Sequence, residues 1–305
     1  MLVPSPLTRL MQGSLIICLL FSGCTKEDSD HNREEDKQAF IEVSTEADIE
    51  SQGIFDNVFN DVIGVNDEVG LGGTGIFGGA NHNSLQGELI NTRSRTDSNQ
   101  CFTVTITRLV TGSPFPVKVV VDFGNGCTGK DGKNRKGKVI TEYSNRLIVP
   151  GAIATTHFDG YSVDEVKVEG ILKISNRSTQ DKRIFHVIVT NGKLTHPNGN
   201  FSLWNSEKTI TQVEGLGTPF FPMDDVFEIT GGANGSVKNG DRYFQWSTLI
   251  TEPLTKKFNC RWIVSGQLSL RKNDAPVTVV NFGQGACDNK AFITVNGQTI
   301  EFTLH

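Results

Sequence analysis

The stretch VVVDFGNGC at residues 119–127 returns near the other end of this 305-residue chain as VVNFGQGAC at 279–287. Each copy is a β-branched run, a glycine turn and a cysteine, and each has another cysteine upstream: Cys101 before Cys127, Cys260 before Cys287. A turn signal sits midway in both intervals, Thr111-Gly112-Ser113-Pro114 in the first and Lys272-Asn273-Asp274-Ala275-Pro276 in the second. The flanks alternate as strands do. Phe102, Val104 and Ile106 share one face, with Thr103, Thr105 and Thr107 on the other; Trp262, Val264, Gly266, Leu268 and Leu270 share a face in the second copy. Folding each interval at its middle as an antiparallel hairpin brings its two cysteines opposite one another. Opposed Cα atoms there lie ~4.5–5.5 Å apart, a separation a disulfide accepts. Of the three pairings four cysteines allow, the spacing selects Cys101–Cys127 and Cys260–Cys287. A four-cysteine zinc site is the alternative, and no Cys-x-x-Cys pair is present to build it.

The likeness runs past the second cysteine, where Gly137-Lys138-Val139-Ile140-Thr141 matches Ala291-Phe292-Ile293-Thr294-Val295. We therefore expect an internal hairpin repeat, residues 101–145 and 260–304. The chain between the copies also alternates with period two, as in Val166, Val168, Gly170, Leu172 and Ile174. Asn191-Gly192 and Asn296-Gly297 read as hairpin turns. No amphipathic helical stretch follows residue 100, which argues against parallel β-α-β units. The expected fold class is all-β: an antiparallel meander of about a dozen strands, a sandwich or a curved open barrel, with a short N-terminal helix and two disulfide-closed hairpins.

The N-terminal third differs in kind. Residues 24–100 carry a net charge of −11 and residues 101–305 a net +5. The first residues run Arg9, an apolar segment from Leu15 to Phe21, then small residues and Cys24. That is a signal-peptide layout, with an apolar run short of the ~20 residues a spanning helix needs. Phe21-Ser22-Gly23-Cys24 resembles the lipobox of bacterial lipoproteins, with Phe21 where the family usually has leucine. The resemblance implies cleavage before Cys24 and acylation of Cys24, and so a partner in the membrane reached through N-terminal lipid. Lys26-Glu27-Asp28-Ser29-Asp30 resembles the export signal of surface lipoproteins in Bacteroidetes-type bacteria. It implies the outer membrane, facing the cell surface, with the periplasmic face as the alternative.

The organisation expected from these features is a signal peptide over 1–23, an acidic disordered tether over 24–44, and an amphipathic helix over 45–66. A glycine-rich linker follows over 67–97, and the β domain over 98–305. In the helix, Ile49, Phe55, Val58, Phe59, Val62 and Ile63 form the apolar stripe, Ser44 or Thr45 caps the start, and the helix is broken or bent near Gly53.

Catalytic constellations are not found. The chain has no Gly-x-Ser-x-Gly and no His-Glu-x-x-His, so no catalytic residue, metal ligand or cofactor is assigned. Asp224 and Asp225 are adjacent carboxylates that on a strand point to opposite faces, and on a loop could touch calcium; Asp122 becomes Asn281 in the second copy, which weakens a calcium reading there. The basic loop with Lys130, Lys133, Arg135 and Lys136 could meet an anionic glycan. Trp204, Tyr243 and Trp246 could stack on sugar rings, or pack between strands. A body at +5 without an arginine-rich run argues against nucleic acid. The body resembles lipoproteins of the same bacterial group through its doubled Phe-Gly-x-Gly hairpin, and that resemblance brings no activity with it. The expected function is a non-enzymatic, lipid-anchored envelope protein, binding or structural, whose partner is a glycan or another envelope protein. A carrier of lipid or other apolar ligand is the first alternative, marked by an apolar groove. A hydrolase with a dispersed site is the second, marked by His and carboxylates in one cleft.

Overall fold

The computed structural model describes residues 26–63, 92–95, 101–129, 131–218, 222–273, 275–295 and 297–304. It divides into two units, Met1–Lys37 and Gln38–His305. The first contributes the opening turns of helix α1, Lys26–Ile63; the rest of α1 and every strand belong to the second.

The strands are β1 (Thr92–Arg95), β2 (Thr103–Arg108), β3 (Val117–Asp122), β4 (Cys127–Thr128), β5 (Asn134–Tyr143), β6 (Ile153–Val163), β7 (Val166–Asn176) and β8 (Ile184–Thr195). They continue as β9 (Phe201–Glu214), β10 (Val226–Asn239), β11 (Arg242–Lys257), β12 (Ile263–Lys272), β13 (Ala275–Gln284), β14 (Lys290–Val295) and β15 (Gln298–Thr303). All fifteen lie in one sheet. Neighbours in sequence are neighbours in space, every pairing is antiparallel, and only β4 falls off the path by pairing with β5. The result is the antiparallel meander, with β1 and β15 as unjoined edges.

A twisted open sheet beyond ~10 strands must curl or split. This one curls, and the space on its concave side is taken by α1. Phe55 stacks on Trp204 of β9 at 5.5 Å and meets Phe158 of β6 edge-on at 6.0 Å. Phe59 meets Phe185 of β8, and Phe40 meets Phe244 of β11. The Tyr143 hydroxyl of β5 donates to the Val62 carbonyl at 2.9 Å, so a strand side chain satisfies one of the orphan acceptors in the helix's last turn. From Ala47 to Ile63 no residue of α1 is exposed. The helix is the filling of the sheet rather than an accessory on its surface.

Three expectations are corrected here. Residues 26–44, expected as a disordered tether, are helical, with Phe40 and Ile41 buried against the sheet. Ser44 and Thr45 are therefore buried in mid-helix and cap nothing; the helix also runs through Gly53 as one segment. Residues 64–91 and 96–100, most of the expected linker, lie outside the described residues.

Both disulfides form as the spacing requires, Cys101–Cys127 with Cα atoms 5.3 Å apart and Cys260–Cys287 at 5.7 Å. The register is not the simple opposition of a folded ribbon. Thr103 pairs with Asp122, and continuing that ladder two residues would set Cys101 opposite Gly124. The chain instead jogs through Phe123–Gly126, and Cys127 arrives three residues later, in β4. In the second hairpin Ser265 pairs with Gln284; continuing that register five residues reaches Asn289, two beyond Cys287.

Glycine makes one strand possible. At Gly231 φ is +118° and a Cβ would sit 2.2 Å from the Glu207 carbonyl oxygen. No side chain fits there, and the β10–β11 register slips beside it, between Ile229 and Gly232.

Candidate functional site

On the concave side α1 takes part in a polar cluster around Asp48 and in a cleft with a polar rim. The first is buried. Asp48 accepts hydrogen bonds through Oδ1 from Trp204 Nε1 at 2.8 Å, Trp246 Nε1 at 3.2 Å and the Thr248 hydroxyl at 3.4 Å. Burial drives its carboxyl above the ordinary aspartate range, opposed by these donors and by the Lys208 ammonium. Lys208 is itself buried, its Nζ has no hydrogen-bond partner, and it lies 5.3 Å from the Trp204 ring centre. The arrangement ties α1 to β9 and β11.

The second is a cleft. It runs between α1 and the inner face of β9 to β13, and encloses about 100 Å³. Ile49 and Phe59 of the helix face Ile210, Phe227, Ile229 and Phe282 of the sheet across it. Gly53 lines the space, and a Cβ added there would meet nothing within 4 Å. Its rim is polar: Asp56, Asn57 and Asn60 on α1, and Lys256 and Arg261 at the passage from β11 to β12.

Lys256 is held in place by the loop around the second disulfide. Its Nζ donates to the Cys260 carbonyl at 2.7 Å and to the Arg261 carbonyl. Burial and then Arg261 push its pKa down to about 8, against the pull of Asp56. Arg261 lies over the Trp262 ring at 4.8 Å, a cation–π contact that sets the guanidinium on the cleft wall. Lys133, just before β5, is also held below the ordinary lysine range, by burial and then by Arg261.

Of the side chains expected to bind ligand, Trp204 and Trp246 converge on Asp48 but face the interior. Trp204 and Trp246 are buried, 1% and 4% exposed, and both donate to Asp48. Tyr243 is exposed on β11, three residues from Trp246 and so on the opposite face. These three therefore form no stacking platform. In the basic loop, Lys130 lies outside the described residues. Arg135 is buried and forks onto Asp131, Nη1 to Oδ1 at 3.0 Å and Nη2 to Oδ2 at 2.7 Å. Lys136 is half-buried on the same strand. With Arg135 committed to Asp131, the loop presents less free charge than its composition implies. Asp225 is buried and accepts from Gln212 Nε2, while Asp224 accepts from the Thr218 hydroxyl, so the adjacent carboxylates serve separate loop contacts.

Among the described residues no group of three His, Cys, Asp or Glu side chains could hold a metal ion, and no helix is long and apolar enough to cross a membrane. His186 pairs with Glu207 at 2.8 Å, away from the cleft.

Sequence reasoning missed Asp48, Lys256 and Arg261. A signal for Asp48 was present. Stepping back seven residues from Phe55, Val58 and Phe59 reaches Asp48, Ser51 and Gln52, all buried in the structure. The buried stripe continues through polar residues where apolar periodicity stops. Lys256 carries no such signal, since in sequence it is one of two lysines at a strand end.

Comparison of the chain with protein-family models, with curated proteins and with solved structures returned no match.

Proposed function

We propose that this chain is an exported, lipid-tethered envelope protein that binds an apolar ligand in the cleft between α1 and β9–β13, without catalysing a reaction on it. The observation that carries the reading is the apolar cleft that Gly53 lines, where an added Cβ would meet nothing within 4 Å. Among the three functions weighed from sequence, an apolar groove is the mark of the carrier. The burial of Trp204 and Trp246 removes the main argument for a glycan platform. Two disulfides are compatible with an oxidising compartment. Acylation of Cys24 would supply the tether, facing the cell surface or the periplasm, and duplication of an ancestral hairpin would account for the two cysteine-closed segments.

The test is Gly53→Leu. Leucine fills the gap and also suits a helix interior better than glycine by ~1 kcal/mol. The variant should keep or raise its melting temperature while losing binding of an apolar fluorescent probe. Unchanged binding would remove the cleft from consideration. For the tether, mass spectrometry of the N-terminal peptide should find acyl chains on Cys24, and none in Cys24→Ser.

A further inference from the structure

An apolar cleft alone does not say what enters it; the rim does. Two cations, Lys256 and Arg261, stand at the rim against a single carboxylate, Asp56. Lys256 spends two of its three N–H groups on the Cys260 and Arg261 carbonyls, which leaves one donor without a protein partner among the described residues. Arg261 is exposed, steadied over Trp262 and paired with no carboxylate among the described ion pairs. Lys133 adds a further positive charge near Arg261. A surplus of positive charge at the mouth of a narrow apolar space is complementary to one negative group on one chain.

We propose that the cleft takes a single-chain amphiphile with an anionic head, its chain running past Gly53 toward Phe227 and Phe282 and its head meeting Lys256 and Arg261. This rests on the apolar-ligand reading above and narrows it to a ligand class.

The geometry carries a pH signature. The groups facing Lys256 are Asp56 from α1, Arg261 from the β11–β12 passage and the two loop carbonyls. In the empty cleft Lys256 titrates near pH 8. An anionic head favours its charged form and raises that value. Binding is therefore strongest below about pH 8 and weakens as the pH climbs through it. A neutral head has no such dependence.

The experiment uses the full chain carrying Cys24→Ser, in oxidised form, so that no acyl group of its own competes. Laurate, dodecanol and dodecyltrimethylammonium are titrated separately, and Trp262 in the cleft wall gives a fluorescence signal. The expected order is laurate tightest, with dodecanol weaker by roughly tenfold, about the value of one charge-assisted hydrogen bond, and the cation weakest. Laurate affinity should fall between pH 7 and pH 9 on the order of tenfold while dodecanol affinity stays level. Arg261→Gln, at an exposed position that does not endanger folding, should lower laurate affinity and leave dodecanol unchanged. Lys256→Met should also abolish the pH dependence. Equal binding of all three probes, or no effect of Arg261→Gln, overturns the head-group assignment and leaves the apolar cleft standing. Failure of every probe overturns the apolar-ligand reading itself. Laurate binding that appears only after residues 66–90 are deleted would assign the cleft to that segment and overturn the proposal.

Discussion

Asp48 shows how much a single buried carboxylate can be asked to hold. Three donors from two strands converge on one oxygen, and the nearby Lys208 ammonium has no hydrogen bond at all. Removing the carboxylate leaves two indole N–H groups unpaired and a lysine buried without countercharge. Breaking one member of a buried charged pair costs roughly 3–5 kcal/mol, whereas replacing both members by groups of similar shape is often nearly neutral. Asp48→Ala should therefore lose about 3 kcal/mol or more in chemical denaturation. Asp48→Asn combined with Lys208→Met keeps an acceptor for Trp204 and Trp246 while removing both charges, and should remain within about 1 kcal/mol of the wild type. A double-mutant cycle reads the coupling directly. Additive losses would mean that Asp48 and Lys208 do not sense one another.

At the scale of elements, the decisive fact is that α1 is the core of the sheet. The strands were legible because their alternation is local: one face of each is apolar, and the turns are marked by Gly, Pro and Asn. The cysteine pairs were legible from spacing, even though the jog at Phe123–Gly126 shifts the register that the spacing argument assumes. The helix was legible only where its stripe is apolar. Its first half buries Ser44, Thr45, Asp48, Ser51 and Gln52, which read as surface, and its N-terminal charge reads as a solvated tether. The cleft was not legible at all, because it depends on which strands the curl brings to Gly53. It follows that residues 98–305, which from sequence form the β domain, depend on α1 to complete their core. Expressed alone under oxidising conditions, that fragment should aggregate or bind a hydrophobic dye, with no cooperative thermal transition. A cooperative transition near that of the full chain would show the helix to be dispensable.

For the molecule as a whole, the two disulfides sit at comparable places in the chain and close loops of nearly equal length, 26 and 27 residues of separation. On the chain-entropy account each contributes ~3–4 kcal/mol, so losing either should lower the melting temperature by a similar amount, about 5–15 °C for a domain of this size. Their effects on binding should differ. Cys260 lies in the loop whose carbonyls hold Lys256, and it is followed at once by Arg261 and Trp262 on the cleft wall. Cys101 and Cys127 hold β4 and the start of β2, neither of which lines the cleft. Cys260→Ser with Cys287→Ser frees the rim and should weaken apolar-probe binding several-fold at temperatures where the protein is still folded. Cys101→Ser with Cys127→Ser should lose as much stability and keep the affinity of the parent. Calorimetry and probe titration on the two double variants separate the cases. Equal losses of binding would mean that the cleft answers to global stability alone, and that the second disulfide has no particular hold on it.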